Sequence, residues 1–124
     1  MHENNLIIEI LRQLEFAVNR IIDSCENIKT ANDFNISNDG ILRLESTCML
    51  LSTIGESVKN IDKRTEGKLL IKYPTIEWKK IMGMRDMIVH HYFDIDIETI
   101  WDVVQNKLPE LIIVLEKMIT DESQ

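Results

Sequence analysis

Ile7, Leu11, Leu14, Val18, Ile21, Cys25 and Ile28 recur in alternating steps of four and three, the spacing that gathers apolar side chains into one stripe along an α-helix. The pattern predicts a first helix over about residues 5–30. The polar run Ala31-Asn32-Asp33-Phe34-Asn35-Ile36-Ser37-Asn38-Asp39-Gly40 reads as a turn segment, with Asn38 or Asp39 able to accept from the free amides of the next helix. That second helix starts near Gly40, carries Ile41, Leu44, Cys48, Leu51, Gly55 and Val58 on one stripe, and ends near Arg64. Gly55 lies inside the stripe, where glycine is unfavourable by about 1 kcal/mol against alanine, and points to a close backbone approach. After Gly67 and Pro74, Thr75 is the expected N-cap of a third helix over about Ile76–Tyr92, with Glu77 at the positive end of its dipole. Ile97, Trp101, Val104, Leu108, Leu111, Leu115 and Met118 repeat the four–three steps in a fourth. Pro109 cannot donate to the carbonyl of Gln105, so a kink or break is expected there. No strand-like alternation of useful length occurs. The fold class predicted is all-α, an up-and-down bundle of four to five helices, with a further short helix around Leu69–Ile71.

At 124 residues, 44% apolar and 28% charged, the chain suits one domain spanning residues 1–124 with a single core. The first residues lack a basic region and a cleavage site, and no apolar run nears the roughly 18–20 residues that cross a bilayer, so a cytoplasmic protein with no membrane association is expected. Cys25 and Cys48 show neither paired nor zinc-like spacing and read as two small buried residues. The net charge of −7 opposes nucleic-acid binding. Its distribution changes that picture. Between Lys59 and Lys80 seven basic residues face three acidic ones, a local +4 that leaves −11 for the rest. Such a stretch can guide a phosphate backbone, with Lys79 and Lys80 its members nearest the motif below, while the acidic remainder suits a basic partner. A solvated helix end is the plainer explanation of the same charges.

The candidate chemistry is concentrated between Trp78 and Phe93. Arg85 is a permanent cation that can hold two phosphate oxygens in one plane, and the imidazole of His90 exchanges a proton near neutral pH. Those two groups suffice for phosphodiester cleavage in which a ribose 2′-OH attacks the adjacent phosphorus, a reaction needing a proton acceptor and a fixed positive charge and no metal or cofactor. On a helix Arg85 and Tyr92 fall within about 20° of one face, whereas His90 lies about 140° round from Arg85. The two converge only if the helix end loosens or a second copy completes the site, which makes a homodimer the expected state. Asp86, one turn before His90, can orient its ring.

The segment Arg85-Asp86-Met87-Ile88-Val89-His90-His91-Tyr92 resembles the Arg, four residues, His, one residue, Tyr motif of the HepT-like toxins in the HEPN superfamily. Ile54-Gly55-Glu56, Ile76-Glu77-Trp78, Gly83-Met84 and Leu108-Pro109 are similar to its flanks, so the likeness covers about residues 5–118. It implies a HEPN-like helical homodimer whose two motifs face one cleft, RNA as substrate, and Arg85 and His90 as catalytic residues. It also implies a toxin–antitoxin system in which a cognate nucleotidyltransferase silences the ribonuclease by adding AMP to Tyr92. Lys79 stands where an Arg is often found and His91 fills a slot that is often acidic; the second departure leaves open which histidine works.

The same residues admit plainer roles. Arg85 can be a surface ion pair with Asp86 or a glutamate, Tyr92 a core-edge aromatic, and Trp78, Trp101 and Met82, Met84 and Met87 core or dimer contacts rather than platforms for RNA bases. Metal bundles with Glu-x-x-His pairs, GxxxxGK[ST] loops and HExxH are absent from the sequence. Two other function classes remain: a non-catalytic helical dimer serving as binding or regulatory subunit of a nucleotidyltransferase, and a helical protein that binds RNA without cutting it.

Overall fold

In a computed structural model that describes residues 2–124, six α-helical segments line up as four rods. Helix α1 is His2–Ser24 and α2 is Asn38–Arg64. The third rod is split into α3, Trp78–Met82, and α4, Met84–His91; the fourth joins α5, Ile97–Asp102, through a π-turn over Val103–Lys107 to α6, Leu108–Glu122. Short 3-10 turns occupy Ala31–Phe34, Leu70–Lys72 and Tyr92–Asp94. No described residue is in a strand. Neighbouring rods run antiparallel: Asn4 near the start of α1 donates to the carbonyl of Glu122 at the end of α6, and Arg64 at the end of α2 meets Glu3. One apolar core threads all four rods, with Leu11, Leu51, Ile54, Leu111 and Leu115 at its centre.

The stripes are where the sequence puts them, and the boundaries differ for local reasons. The first helix stops at Ser24, six residues short of expectation. Cys25 and Ile28 stay buried because the turn that follows keeps both facing inward, so apolar spacing alone cannot mark the helix end. Within the following turn Asp33 Oδ2 accepts from the amides of Lys29 and Thr30 at 2.8 and 3.1 Å. Those two donors hold its carboxyl below the usual carboxylate range. The cap of α2 is Ser37, whose Oγ accepts from the amide of Gly40 at 2.9 Å, and neither Asn38 nor Asp39 serves. Thr75 likewise caps nothing. The chain stays irregular until Glu77 because Ile76 and the ring of Trp78 are both drawn into the core, the indole donating to the carbonyl of Tyr73 at 2.9 Å.

The third rod breaks at Gly83, beside Gly55 of α2. A Cβ built on Gly55 would lie 2.8 Å from the carbonyl oxygen of Ile81 and 3.3 Å from the amide nitrogen of Arg85. The close approach inferred from the sequence is therefore the contact between α2 and the α3–α4 junction. Pro109 produces no break: the ladder widens to a π-turn, with the amide of Leu108 reaching the carbonyl of Val103, and Pro109 falls in the first turn of α6, where a missing donor costs little. Cys25 and Cys48 are buried and free, and burial pushes the Cys48 thiol up to about 11.

Candidate active site

Helix α4 is short, and its two buried residues, Met84 and Ile88, fix how it sits on the core. That anchoring leaves Arg85, Val89 and Tyr92 on the outward side, toward the exposed face of α2. The juxtaposition is antiparallel. Arg85 Nε lies 3.9 Å from Glu56 Oε1, and the Tyr92 hydroxyl donates to Glu45 Oε2 at 3.3 Å. Glu45 and Glu56 are three turns apart and about 20° from one another around α2, so two carboxylates of one helix face Arg85 on α4 and Tyr92 just beyond its end.

Arg85 also donates from Nη1 to Asp86 Oδ1 at 3.2 Å. Its side chain is 46% exposed, so both ion pairs lie in water, where such pairs contribute roughly 0–1 kcal/mol and are readily exchanged. A phosphate can take their place. Asp86 thus engages Arg85, and no hydrogen bond joins it to His90 among the described residues. His90 is exposed. Helix α4 ends at His91, whose own backbone (φ −124°, ψ 19°) already leaves α-geometry ahead of the 3-10 turn at Tyr92; the departure comes after His90, which therefore remains about 140° round from Arg85. His91 Nδ1 faces Asp94 Oδ1 at 3.7 Å at the helix end.

Tyr92 is 37% exposed, and its ring packs edge-on against Phe93 with centroids 5.8 Å apart. Partial burial first, and the Glu45 carboxylate second, raise its phenol above the ordinary value. The chain's other tyrosine differs: Tyr73 has its ring in the core and donates to Asp121 at 2.7 Å, with its phenol pushed up to about 12 chiefly by burial. Lys79 and Lys80 are exposed on α3; Lys80 pairs with Glu77 at 3.1 Å, and Lys79 is in no ion pair among the described residues. Trp78 and Met84 are buried, and Met82, Met87 and Trp101 pack against the core, which leaves none of them as an open stacking platform. Among the described residues no group of three or more His, Cys, Asp or Glu is arranged to hold a metal ion, and no helix is long and apolar enough to cross a membrane.

Two features carry no signal in the sequence. One is the pair Glu45 and Glu56, whose spacing of eleven residues becomes meaningful only once α4 is laid across α2. The other is a cavity of about 400 Å³ behind α4, lined by Ile54, Met84, Met87, Val103 and Leu111 among others. Glu77 bridges Lys80 and Lys107 at its mouth. Met87 lies about 160° from Arg85 around the helix, so this cavity and the motif face occupy opposite sides of α4.

Comparison with known proteins gives the same assignment over most of the chain. The family described as "Ribonuclease HepT-like" matches residues 17–118. A Methanocaldococcus jannaschii protein named "Putative RNase MJ0127" is 37% identical over 107 residues, covering 82% of this chain and 85% of that protein. "Putative RNase TTE0752" of Caldanaerobacter subterraneus subsp. tengcongensis is 31% identical over 102 residues, 82% of this chain and 80% of that protein. "Probable ribonuclease HepT" of Thermococcus cleftensis is 37% identical over 68 residues, 55% of this chain and 58% of that protein. No solved structure matches. With an all-helical bundle and a family match across 17–118, the chain belongs to the HepT-like ribonuclease family.

Proposed function

We propose that the protein is the toxin of a toxin–antitoxin pair, an endoribonuclease that cuts RNA without a metal through Arg85 and His90. The observation that carries the reading is the exposure of both groups on α4, with Arg85 held only by solvent-exposed carboxylates. An RNA phosphate displaces Glu56 and Asp86 from the guanidinium, and Arg85 then stabilises the charge that grows on the phosphoryl oxygens. His90 takes the proton of the ribose 2′-OH as it attacks, which yields a cyclic phosphate end. Lys79 and Lys80 lie one to two turns before Arg85 and supply phosphate attraction along the strand. Asp86 supports the site by holding Arg85 in place until the phosphate arrives.

The wide angle between Arg85 and His90 favours a homodimer, in which each copy completes the other's site. Its supporting feature is the apolar surface around the motif: Leu42 and Met49 on α2 with Val89 and Phe93 beyond are all more than half exposed, and Phe93 entirely so. Burying one such phenylalanine contributes about 1.5–3 kcal/mol. Tyr92 is the residue on this face that a nucleotidyltransferase antitoxin modifies with AMP, because it is the tyrosine whose ring is reachable from solvent. A nucleotide there covers the approach to Arg85 on the same face.

The test is to incubate the purified protein and its Arg85→Ala and His90→Ala variants with total cellular RNA in excess EDTA. Cleavage by the native chain alone, leaving cyclic-phosphate ends, is the expected result. Intact RNA with every protein would refute ribonuclease action and turn attention to a non-catalytic partner of a nucleotidyltransferase; cleavage only after metal is restored would refute metal independence.

A further inference from the structure

We infer that Glu45 is the proton acceptor when Tyr92 receives its nucleotide, a step that rests on the reading of Tyr92 as the modified residue given above. The phenol donates to Glu45 Oε2 at 3.3 Å, and both side chains are accessible from the same open face of the α2–α4 seam. A phenol is a poor nucleophile while it holds its proton, and partial burial makes the Tyr92 proton harder to lose than that of a free tyrosine. Transfer therefore needs a base at the hydroxyl as the new bond forms. The other groups around the phenol do not fit that role. Cys48 is buried behind it with its thiol held protonated, and His91 is turned toward Asp94.

The step balances as follows. Tyr92 Oη attacks the α-phosphorus of a ribonucleoside triphosphate presented by the nucleotidyltransferase. The bond from that phosphorus to the oxygen bridging it to the β-phosphorus breaks, and pyrophosphate leaves with the electron pair. The phenolic proton passes to Glu45 Oε2. Glu45 is exposed and on the surface of an established helix, so its replacement leaves the core untouched. Tyr73 provides a control within the chain: it has the same phenol–carboxylate hydrogen bond, to Asp121, but its ring is shut in the core.

The experiment measures initial rates of label transfer from α-labelled ATP to the wild-type chain, Glu45→Gln, Glu45→Asp and Tyr92→Phe, with the purified cognate nucleotidyltransferase. Mass spectrometry locates the adduct, and thermal midpoints check the fold. Glu45→Gln keeps an acceptor oxygen and loses the base. The expected outcome is a rate at saturating nucleotide lowered by about a hundredfold or more, an unchanged KM for nucleotide, and partial recovery with Glu45→Asp. Wild-type labelling at Tyr92 with Glu45→Gln labelled equally fast overturns the proton-acceptor assignment alone. No label on the wild type, or label retained by Tyr92→Phe or found on Tyr73, overturns the choice of Tyr92 and this assignment with it.

Discussion

Gly55→Ala sets two effects of known sign against each other. Inside a helix alanine is favoured over glycine by about 1 kcal/mol, so on propensity alone the variant is more stable. The new methyl, however, arrives 2.8 Å from the carbonyl oxygen of Ile81 and 3.3 Å from the amide nitrogen of Arg85. These are backbone atoms at the α3–α4 junction and cannot rotate away as a flexible side chain can. Restoring ordinary contact distance moves the junction off α2 by several tenths of an ångström, and overpacking of this kind costs about 1–3 kcal/mol. The clash wins by about 1 kcal/mol, which for a chain of this size lowers the thermal midpoint by roughly 3–5 °C. Since Arg85 begins the displaced turn, RNA cleavage falls by more than the lost folded fraction explains. Gly83→Ala is the matched control. Its Cβ meets the carbonyl of Lys79 at 3.4 Å and that of Lys80 at 3.7 Å, and its φ of −77° is one any residue adopts, so alanine there is neutral or stabilising by up to about 1 kcal/mol. Urea unfolding of both variants is the assay. A Gly55→Ala chain that is more stable than the wild type refutes the close-approach reasoning.

Ser37→Ala removes the acceptor of the Gly40 amide and is expected to cost about 1 kcal/mol, while Asn38→Ala changes stability by a few tenths; equal losses in chemical denaturation would remove Ser37 from its capping role. Asp33 has a folded-state pKa held below that of the unfolded chain by the amides of Lys29 and Thr30. Its contribution to stability is thus fully present above the unfolded value and is lost as pH falls through the lower folded one. Asp33→Asn should be less stable than the wild type at neutral pH, with the gap closing in acid; a gap that is constant across the acid limb of a stability–pH profile contradicts this.

The helical stripes were legible because burial imposes its period directly on residue type, and each expected stripe residue from Ile7 to Met118 that anchors the core is in it, apart from the half-buried or exposed Ile41, Leu44, Ile97 and Trp101. Helix ends were less so. Phe34 shows why: it sits in a polar run that reads as a turn, yet it is completely buried and packs edge-on against Trp101 at 6.3 Å. A single aromatic that closes a core from a loop leaves no periodic trace. The split at Gly83 was similarly hidden, because the α3–α4 junction lies against Gly55 of α2, whereas the irregularity at Pro109 was legible and differs only in form, a π-turn in place of a kink or break.

The site divides along the same line. Arg85, His90 and Tyr92 could be nominated as candidates from type and spacing, since both their chemistry and their helical angles depend on one short segment. Their partners could not, because Glu45 and Glu56 are more than twenty residues away and indistinguishable in sequence from other surface acids. The fold also turns a sequence-level difficulty into a constraint. Had α4 unwound before His90, one chain could have brought histidine and arginine to the same phosphate; it departs from helical geometry only after His90, at His91. With the two groups about 140° apart on one rigid turn, a single chain offers a phosphate either the cation or the proton acceptor. The geometry that weakens a one-chain mechanism is therefore the same geometry that favours a paired one, in which Arg85 of one copy and His90 of the other meet across the exposed apolar rim of Val89 and Phe93.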